Sequence, residues 1–112
     1  TMITKLHHID SLKVNGCHFG VVPEFVKGLR QLKYLDLSSN QIISIPSWFC
    51  ELDQLEELNL SYNKISKVPN CILGNNSLQI LQLQWNSINK NDVKAIKSKA
   101  NKTLNIDLGQ QE

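Results

Sequence analysis

The chain has 112 residues, and its 12 lysines and arginines against 10 aspartates and glutamates give a formal net charge of only +2. A chain of this length forms one domain, and so small a net charge gives no reason to expect nucleic acid or an anionic membrane as a partner. No apolar run approaches the roughly 18 residues of a membrane-spanning helix, so we expect no membrane segment.

A repeated pattern of hydrophobic positions runs through most of the chain. After a lead-in at residues 1–8, in which Leu6 is expected to cover the open end of the first strand, Ile9-x-x-Leu12-x-Val14-x-x-Cys17 sets the pattern. The form L-x-x-L-x-L-x-x-N then begins at positions 32, 55 and 78, so the repeat has a constant period of 23. A fixed period of this length predicts a solenoid, in which stacked repeats bury a shared core.

Each repeat has a second half that contains a proline. Pro23, Pro46 and Pro69 each follow an apolar residue and precede further apolar residues at helix-like spacing. Proline fixes φ near the helical value and has no N–H to leave unpaired, so it suits the start of a short turn or one-turn helix. We therefore expect these segments to form irregular or 3-10 turns on the side opposite the strands.

These motifs resemble the leucine-rich repeat family, in its intracellular I-P-x-x-F-x-x-L form, over roughly residues 6 to 109. The resemblance implies an α/β solenoid with a short parallel β-sheet on the concave side and irregular or 3-10 turns on the convex side. We expect a single domain over residues 1–112, with repeats starting near 9, 32, 55 and 78. Strand alternation predicts that Leu35 and Leu37 point into the core, and the recurring Asn predicts a ladder of satisfied amides.

The end of the chain departs from the repeat, and Asn91–Ala100 reads as a capping helix. Asn91 or Asp92 is expected to cap it, and Val93, Ile96 and Ala100 form its apolar stripe. Its lysines are expected on a solvated face.

A capping strand is predicted near residues 101–109. Stepping one period onward from the last full repeat places Leu104 and Ile106 at the two core positions of this strand, with Gly109 in place of the Asn. On this alignment Leu108 faces outward.

The three cysteines, Cys17, Cys50 and Cys71, are odd in number and lack C-x-C or C-x-x-C spacing. Cys17 takes the Asn position of its repeat, where we expect it to be buried. Secreted members of the family usually carry disulfide-bonded caps, and those cysteine clusters are absent here. We therefore predict a reduced protein in the cytoplasm; a bacterial protein delivered into a host cytosol would show the same pattern.

The predicted concave face carries several bulky and acidic side chains. Exposed aromatic residues on a rigid surface are typical of binding hot spots, although Tyr62 and Trp85 could instead pack against a neighbouring loop. Trp48 on the convex side is a weaker candidate for a binding patch. The predicted partner-binding residues are Tyr34, Asp36, Glu57, Asn59, Tyr62, Ile80, Gln82 and Trp85.

Nothing in the sequence indicates catalysis, because the phosphate-binding, metalloprotease and nucleophile motifs are missing. His7, His8 and His18 lack partners at metal-ligand spacing, so we expect no metal, no cofactor and no enzyme activity. We predict a monomeric protein-interaction module that binds a protein partner through its concave sheet. The alternatives are the substrate-recognition or regulatory part of a larger enzyme such as a ubiquitin ligase or kinase, or a bacterial effector acting in a host cell. Self-association through the N-terminal edge also stays open.

Overall fold

A computed structural model describes residues 9–111, so the lead-in with Leu6 lies outside the described residues. Each of the first four strands is followed by one helical segment, and a fifth strand follows the last helix. The strands are β1 (Ser11–Lys13), β2 (Tyr34–Asp36), β3 (Glu57–Asn59), β4 (Ile80–Gln82) and β5 (Asn105–Asp107). The helical segments are two 3-10 helices, Glu24–Gly28 and Ser47–Glu51, and two α-helices, α1 (Asn70–Leu73) and α2 (Lys90–Lys99).

The five strands form one parallel sheet in the order β1-β2-β3-β4-β5. Leu12, Leu35, Leu58 and Leu81 are aligned across the first four strands, each one period from the next. This confirms the predicted solenoid with a short parallel sheet. Because the connections repeat, every side chain of one strand lies beside its counterpart in the next repeat.

The alignment predicted for the last strand is wrong by two positions. Leu81 is paired with Ile106, whereas one period from Leu81 leads to Leu104. Ile106 and the buried Leu108 therefore take the core positions that we assigned to Leu104 and Ile106, and Leu108 does not face outward. The physical reason is the ten-residue helix α2, which makes this connection longer than the earlier ones.

The core lies between the sheet and the helical segments. Leu35, Leu37 and Phe49 are buried within it, as strand alternation and the proline motif predicted. Pro23, Pro46 and Pro69 each precede a helical segment, with φ between −64° and −60°. The fixed φ of proline thus directs the chain from the turn into each convex-side segment.

A ladder of buried amides links the repeats. The Nδ2 of Asn63 donates to the carbonyl oxygens of Leu37 at 3.0 Å and Leu60 at 3.1 Å. Its Oδ1 accepts from the backbone N–H of Ile42 at 3.0 Å. Asn40 and Asn86 make the same kinds of bond one repeat earlier and one repeat later.

The ladder ends in a glutamine that the sequence pattern did not identify. The Nε2 of Gln111 donates to the carbonyl oxygens of Leu83 and Leu108, and its Oε1 accepts from the N–H of Ile88. Gly109, which we expected in this place, instead has a φ of +26° and lies against Gln84. The longer last connection explains the displacement.

Helix α2 begins earlier than predicted. Asn89, and not Asn91 or Asp92, is its N-cap, and the Oδ1 of Asn89 accepts from the N–H of Asp92 at 2.8 Å. An N-cap side chain accepts from a backbone N–H in the first turn of the helix. Because Asn89 makes this bond, the helix begins before Asn91.

The predictions for the cysteines are wrong on two counts. Cys50 and Cys71 form a disulfide, with their Cα atoms 5.8 Å apart. They lie in neighbouring repeats on the convex side, where stacking of the second 3-10 helix on α1 brings them side by side. Cys17 is exposed, because it belongs to the first described repeat and no described repeat covers its outer side.

Candidate functional site on the concave face

Two rows of outward-facing side chains cross the sheet. Parallel pairing places Tyr34 beside Glu57 and Glu57 beside Ile80, and all three are half-buried. The sequence therefore identified this first row correctly as a set of neighbours. It is open to a partner only along the outer part of each side chain.

The second row consists of Asp36, Asn59 and Gln82, and two of these three side chains bond the backbone. Asp36 is 4% exposed, and its Oδ1 accepts from the N–H of Ser38 at 2.9 Å. The Oδ1 of Asn59 likewise accepts from the N–H and the hydroxyl of Ser61. An Asp or Asn that bonds the backbone two residues on stabilises a turn. Asp36 therefore has almost no surface to offer a partner, whereas Asn59 and Gln82 are half-buried.

Tyr62 and Trp85 form an exposed aromatic pair at the edge of the concave face. Their ring centroids are 6.0 Å apart, and the ring planes meet at 17°, so the rings stack. Tyr62 is 54% exposed and Trp85 is 38% exposed. The two side chains pack on each other and keep a large apolar surface in contact with solvent.

The backbone of this pair has an unusual conformation. Tyr62 and Trp85 have φ values of 58° and 61°, and Ser39 and Gly16 occupy the same place in the earlier repeats with φ of 58° and 69°. Positive φ is rare for bulky residues and costs roughly 1–2 kcal/mol per residue. Sequence reasoning did not predict this conformation, although Gly16 at the equivalent position was its signal.

Hydrogen bonds keep both aromatic residues in this conformation. The N–H of Tyr62 donates to the carbonyl oxygen of Gln84 at 3.0 Å, and the N–H of Trp85 donates to that of Gln110 at 2.6 Å. Each aromatic residue is thus tied to the following repeat. The rings are presented by a backbone that is already ordered.

The middle of the concave face is electronegative around Tyr34. Burial raises the pKa of the Tyr34 hydroxyl above its ordinary value of 10.0, and the nearby carboxylates of Asp36 and Glu57 raise it further. A phenolate would add a third negative charge to this group. Tyr34 is therefore a neutral hydrogen-bonding group at physiological pH.

Stability is expected to fall at high pH because of Tyr34. Since its pKa is higher in the folded state than in the unfolded chain, its contribution is complete below pH 10 and is lost as the pH rises through the folded-state pKa. Urea unfolding measured from about pH 9 upward should show this decline, and Tyr34→Phe should reduce it. Tyr62→Phe is the control; an equal effect of both variants would contradict this role for Tyr34.

The other candidate sites are weaker. Trp48 is half-buried and packs edge-on against Phe49, with ring centroids 4.9 Å apart, so it fills the convex side. Within residues 9–111 no group of three or more His, Cys, Asp or Glu side chains could hold a metal ion; His7 and His8 lie outside that range. No helix in the same range is long and apolar enough to cross a membrane.

Comparison with known sequences identifies a family for most of the chain and a relative for part of it. The sequence profile described as "Leucine rich repeat" matches residues 7–65 and 46–88. A stretch of 42 residues is 43% identical to part of Receptor like protein 22 of Arabidopsis thaliana. This match covers 37% of this chain and 5% of the plant protein. The chain therefore spans only a small part of this relative.

Solved structures share the architecture. A leucine-rich repeat protein of Leptospira interrogans has a TM-score of 0.83 at 27% identity, covering 94% of this chain and 26% of that one. A plant ice-binding protein has a TM-score of 0.75 at 26% identity, with coverages of 94% and 35%. An internalin of Listeria monocytogenes has a TM-score of 0.60 at 33% identity, with coverages of 80% and 26%. Since the family profile covers more than half of the sequence and the parallel solenoid recurs in these structures, the chain belongs to the leucine-rich repeat family.

Proposed function

We propose that this chain is a protein-interaction module that binds one protein partner through its concave face, around Tyr62 and Trp85. Leucine-rich repeat proteins generally mediate protein–protein interaction, and the fold is typically a non-enzymatic module. The observation that carries the proposal is the stacked, exposed aromatic pair in a strained backbone conformation. Because Ser39 and Gly16 share the positive φ, this conformation belongs to the repeat. What distinguishes Tyr62 and Trp85 is an exposed aromatic surface of the kind typical of binding hot spots.

The remaining concave residues define the contact more closely. Tyr34, Glu57 and Ile80 form a continuous half-buried row across three strands, and Asn59 and Gln82 add polar groups beside it. The carboxylates near Tyr34 favour a basic group on the partner. Because strands and ladder hold these side chains in place before binding, little ordering entropy is lost on association.

Replacing both aromatic residues should abolish binding and preserve the fold. Aromatic hot spots contribute about 2 kcal/mol or more each, so Tyr62→Ala/Trp85→Ala should lose most of its affinity. The free energy of unfolding should change by about 1 kcal/mol, the contribution of one stacked aromatic pair. Pull-down from lysate, with unfolding followed by circular dichroism, measures both quantities.

Ile43→Ala is the matched control, because Ile43 is an exposed apolar residue outside the strands. The Ile43→Ala variant should pull down the same proteins as the wild type. If the double variant kept the same partners, or lost stability like a core variant, the aromatic pair would not be the binding site.

We further propose that the module acts as the recognition part of a larger protein, which could be an enzyme or a bacterial effector. The support is that it covers only 5% of the plant relative and 26–35% of the structural neighbours. Cytoplasmic location and the monomeric state stay predictions. The Cys50–Cys71 disulfide is typical of an oxidising compartment, so the cysteines no longer support the cytoplasm.

A further inference from the structure

Among the described residues, β5 is the last strand of the sheet and pairs only with β4, so its other edge faces no described strand. The N–H of Asn105 donates to the carbonyl oxygen of Gln79, and the carbonyl oxygen of Asp107 accepts from the N–H of Leu83, both at 2.8 Å. In a parallel strand, alternate residues direct their backbone groups to opposite sides. The N–H and C=O of Ile106 therefore point away from β4.

The open edge has the same geometry that β4 uses to hold β5. In β4 the carbonyl oxygen of Gln79 and the N–H of Leu83 bond the next strand. By the register that pairs Leu81 with Ile106, the counterparts of these two residues are Leu104 and Leu108. The equivalent backbone groups on β5 are therefore the C=O of Leu104, the N–H and C=O of Ile106, and the N–H of Leu108. One further extended strand fits this set of donors and acceptors.

Side chains beside this edge combine apolar contact with positive charge. A cleft of about 360 Å³ follows it and is lined by Lys97, Ala100, Asn101, Lys102, Leu104, Asn105, Ile106 and Leu108. A second cleft of about 380 Å³ shares Lys97 and adds Lys90 and Lys94. Neither lining contains a carboxylate.

The charge of this end is positive overall, although β5 itself carries one exposed carboxylate, Asp107, whose Oδ1 accepts from the N–H of Gly109. Residues 90–102 contain five lysines and a single acidic residue, Asp92, which already pairs with Lys67 at 2.8 Å. Charge therefore selects the occupant: two copies of this chain joined through their β5 edges would oppose lysine with lysine. An acidic strand would gain attraction at each lysine.

We propose that this basic edge, formed by β5 with Lys97 and Lys102, binds an extended acidic segment of a partner protein as an additional strand. Main-chain bonds to Ile106 and Leu108 supply affinity, and the lysines select acidic side chains. A lipid surface fits less well, because Ile96 on α2 is buried in the core and unavailable for insertion. Nucleic acid fits less well because the cleft presents no aromatic side chain for stacking.

A short synthetic peptide of alternating valine and glutamate tests this proposal. We expect it to bind and to protect the amides of Ile106 and Leu108 from hydrogen exchange measured by NMR. The same peptide with lysine in place of glutamate, or with N-methylated backbone nitrogens, should not bind. Lys97→Glu/Lys102→Glu should lower the affinity for the acidic peptide by about tenfold or more.

Lys27→Glu/Lys64→Glu, which changes two exposed lysines elsewhere, is the control and should bind normally. Tyr62→Ala/Trp85→Ala should also bind the peptide, so the result is independent of the concave-face proposal. Equal binding of the lysine peptide, or unchanged exchange at Ile106 and Leu108, would overturn the proposal. Protection of these two amides by dimerisation in the absence of peptide would also overturn the proposal. So would binding of anionic vesicles or RNA that leaves the exchange of these amides unchanged.

Discussion

Replacing Asn63 with alanine is expected to lower the free energy of unfolding by about 4 kcal/mol. The substitution removes bonds to Leu37, Leu60 and Ile42 at a site that is almost fully buried. Asn40 and Asn86 still bond the two carbonyl oxygens, but the N–H of Ile42 loses its acceptor. A buried unpaired group costs about 1–3 kcal/mol, and each lost bond costs about 1 kcal/mol more.

Urea denaturation with an unchanged m-value would measure the effect of Asn63→Ala. Asn91→Ala is the matched control: Asn91 is exposed on helix α2, so its replacement should change stability by less than about 0.5 kcal/mol. Equal effects of the two variants would mean that the buried amide does not link the repeats.

Removing the Cys50–Cys71 disulfide is expected to lower the free energy of unfolding by about 3 kcal/mol, because the open chain gains conformational entropy when unfolded. The sequence separation of the two residues is 21, so the bond closes a loop of moderate length. Unfolding should be compared with and without a reductant, and Cys50→Ser/Cys71→Ser should no longer respond to the reductant.

Cys17→Ser provides the control for the disulfide, since the exposed Cys17 thiol is free and its loss should leave the response to reductant intact. Mass spectrometry of the non-reduced protein should find one alkylatable thiol. Three alkylatable thiols in protein kept under oxidising conditions would contradict the disulfide.

Most of the fold could be predicted because the sequence has two regular periods, one within each strand and one between repeats. Alternation within each strand places Leu35 and Leu37 in the core, and the constant step between repeats aligns the first four strands. Both depend on local geometry that each repeat copies from the last. The alignment failed at β5, where helix α2 replaces the proline segment and Leu81 pairs with Ile106 instead of Leu104. The period carries no information about a connection that differs from the others.

The disulfide could not be predicted because its cysteines are not equivalent residues of the repeat. The separation of Cys50 and Cys71 is 21, which is shorter than the period of the repeat, so aligning the repeats does not bring them together. Their contact depends on how the second 3-10 helix and α1 stack. The exposure of Cys17 has a different cause, since it follows from its place in the first described repeat.

The candidate site was predicted in part. Strand alternation identified Tyr34, Glu57 and Ile80 as neighbours, and the structure places Tyr62 and Trp85 at the surface, as expected of a binding pair. Alternation does not reveal where a side chain bonds its own backbone, so the burial of Asp36 was missed. Whether these residues bind a partner stays a prediction, for which the double alanine variant is the test.

The amide ladder has a direction, and this makes the length of the solenoid adjustable. Asn63 reaches back to Leu37 and Ile42, and Gln111 reaches back to Leu83 and Ile88. An inserted repeat would therefore supply its own amide side chain, which would bond the backbone of the repeat before it. No carbonyl or N–H of the earlier repeats would lose its partner. Each insertion would lengthen the sheet by about 4.8 Å and add a nearly constant increment of stability. Such a chain can gain binding surface by duplication of a single repeat unit, without redesign of its core.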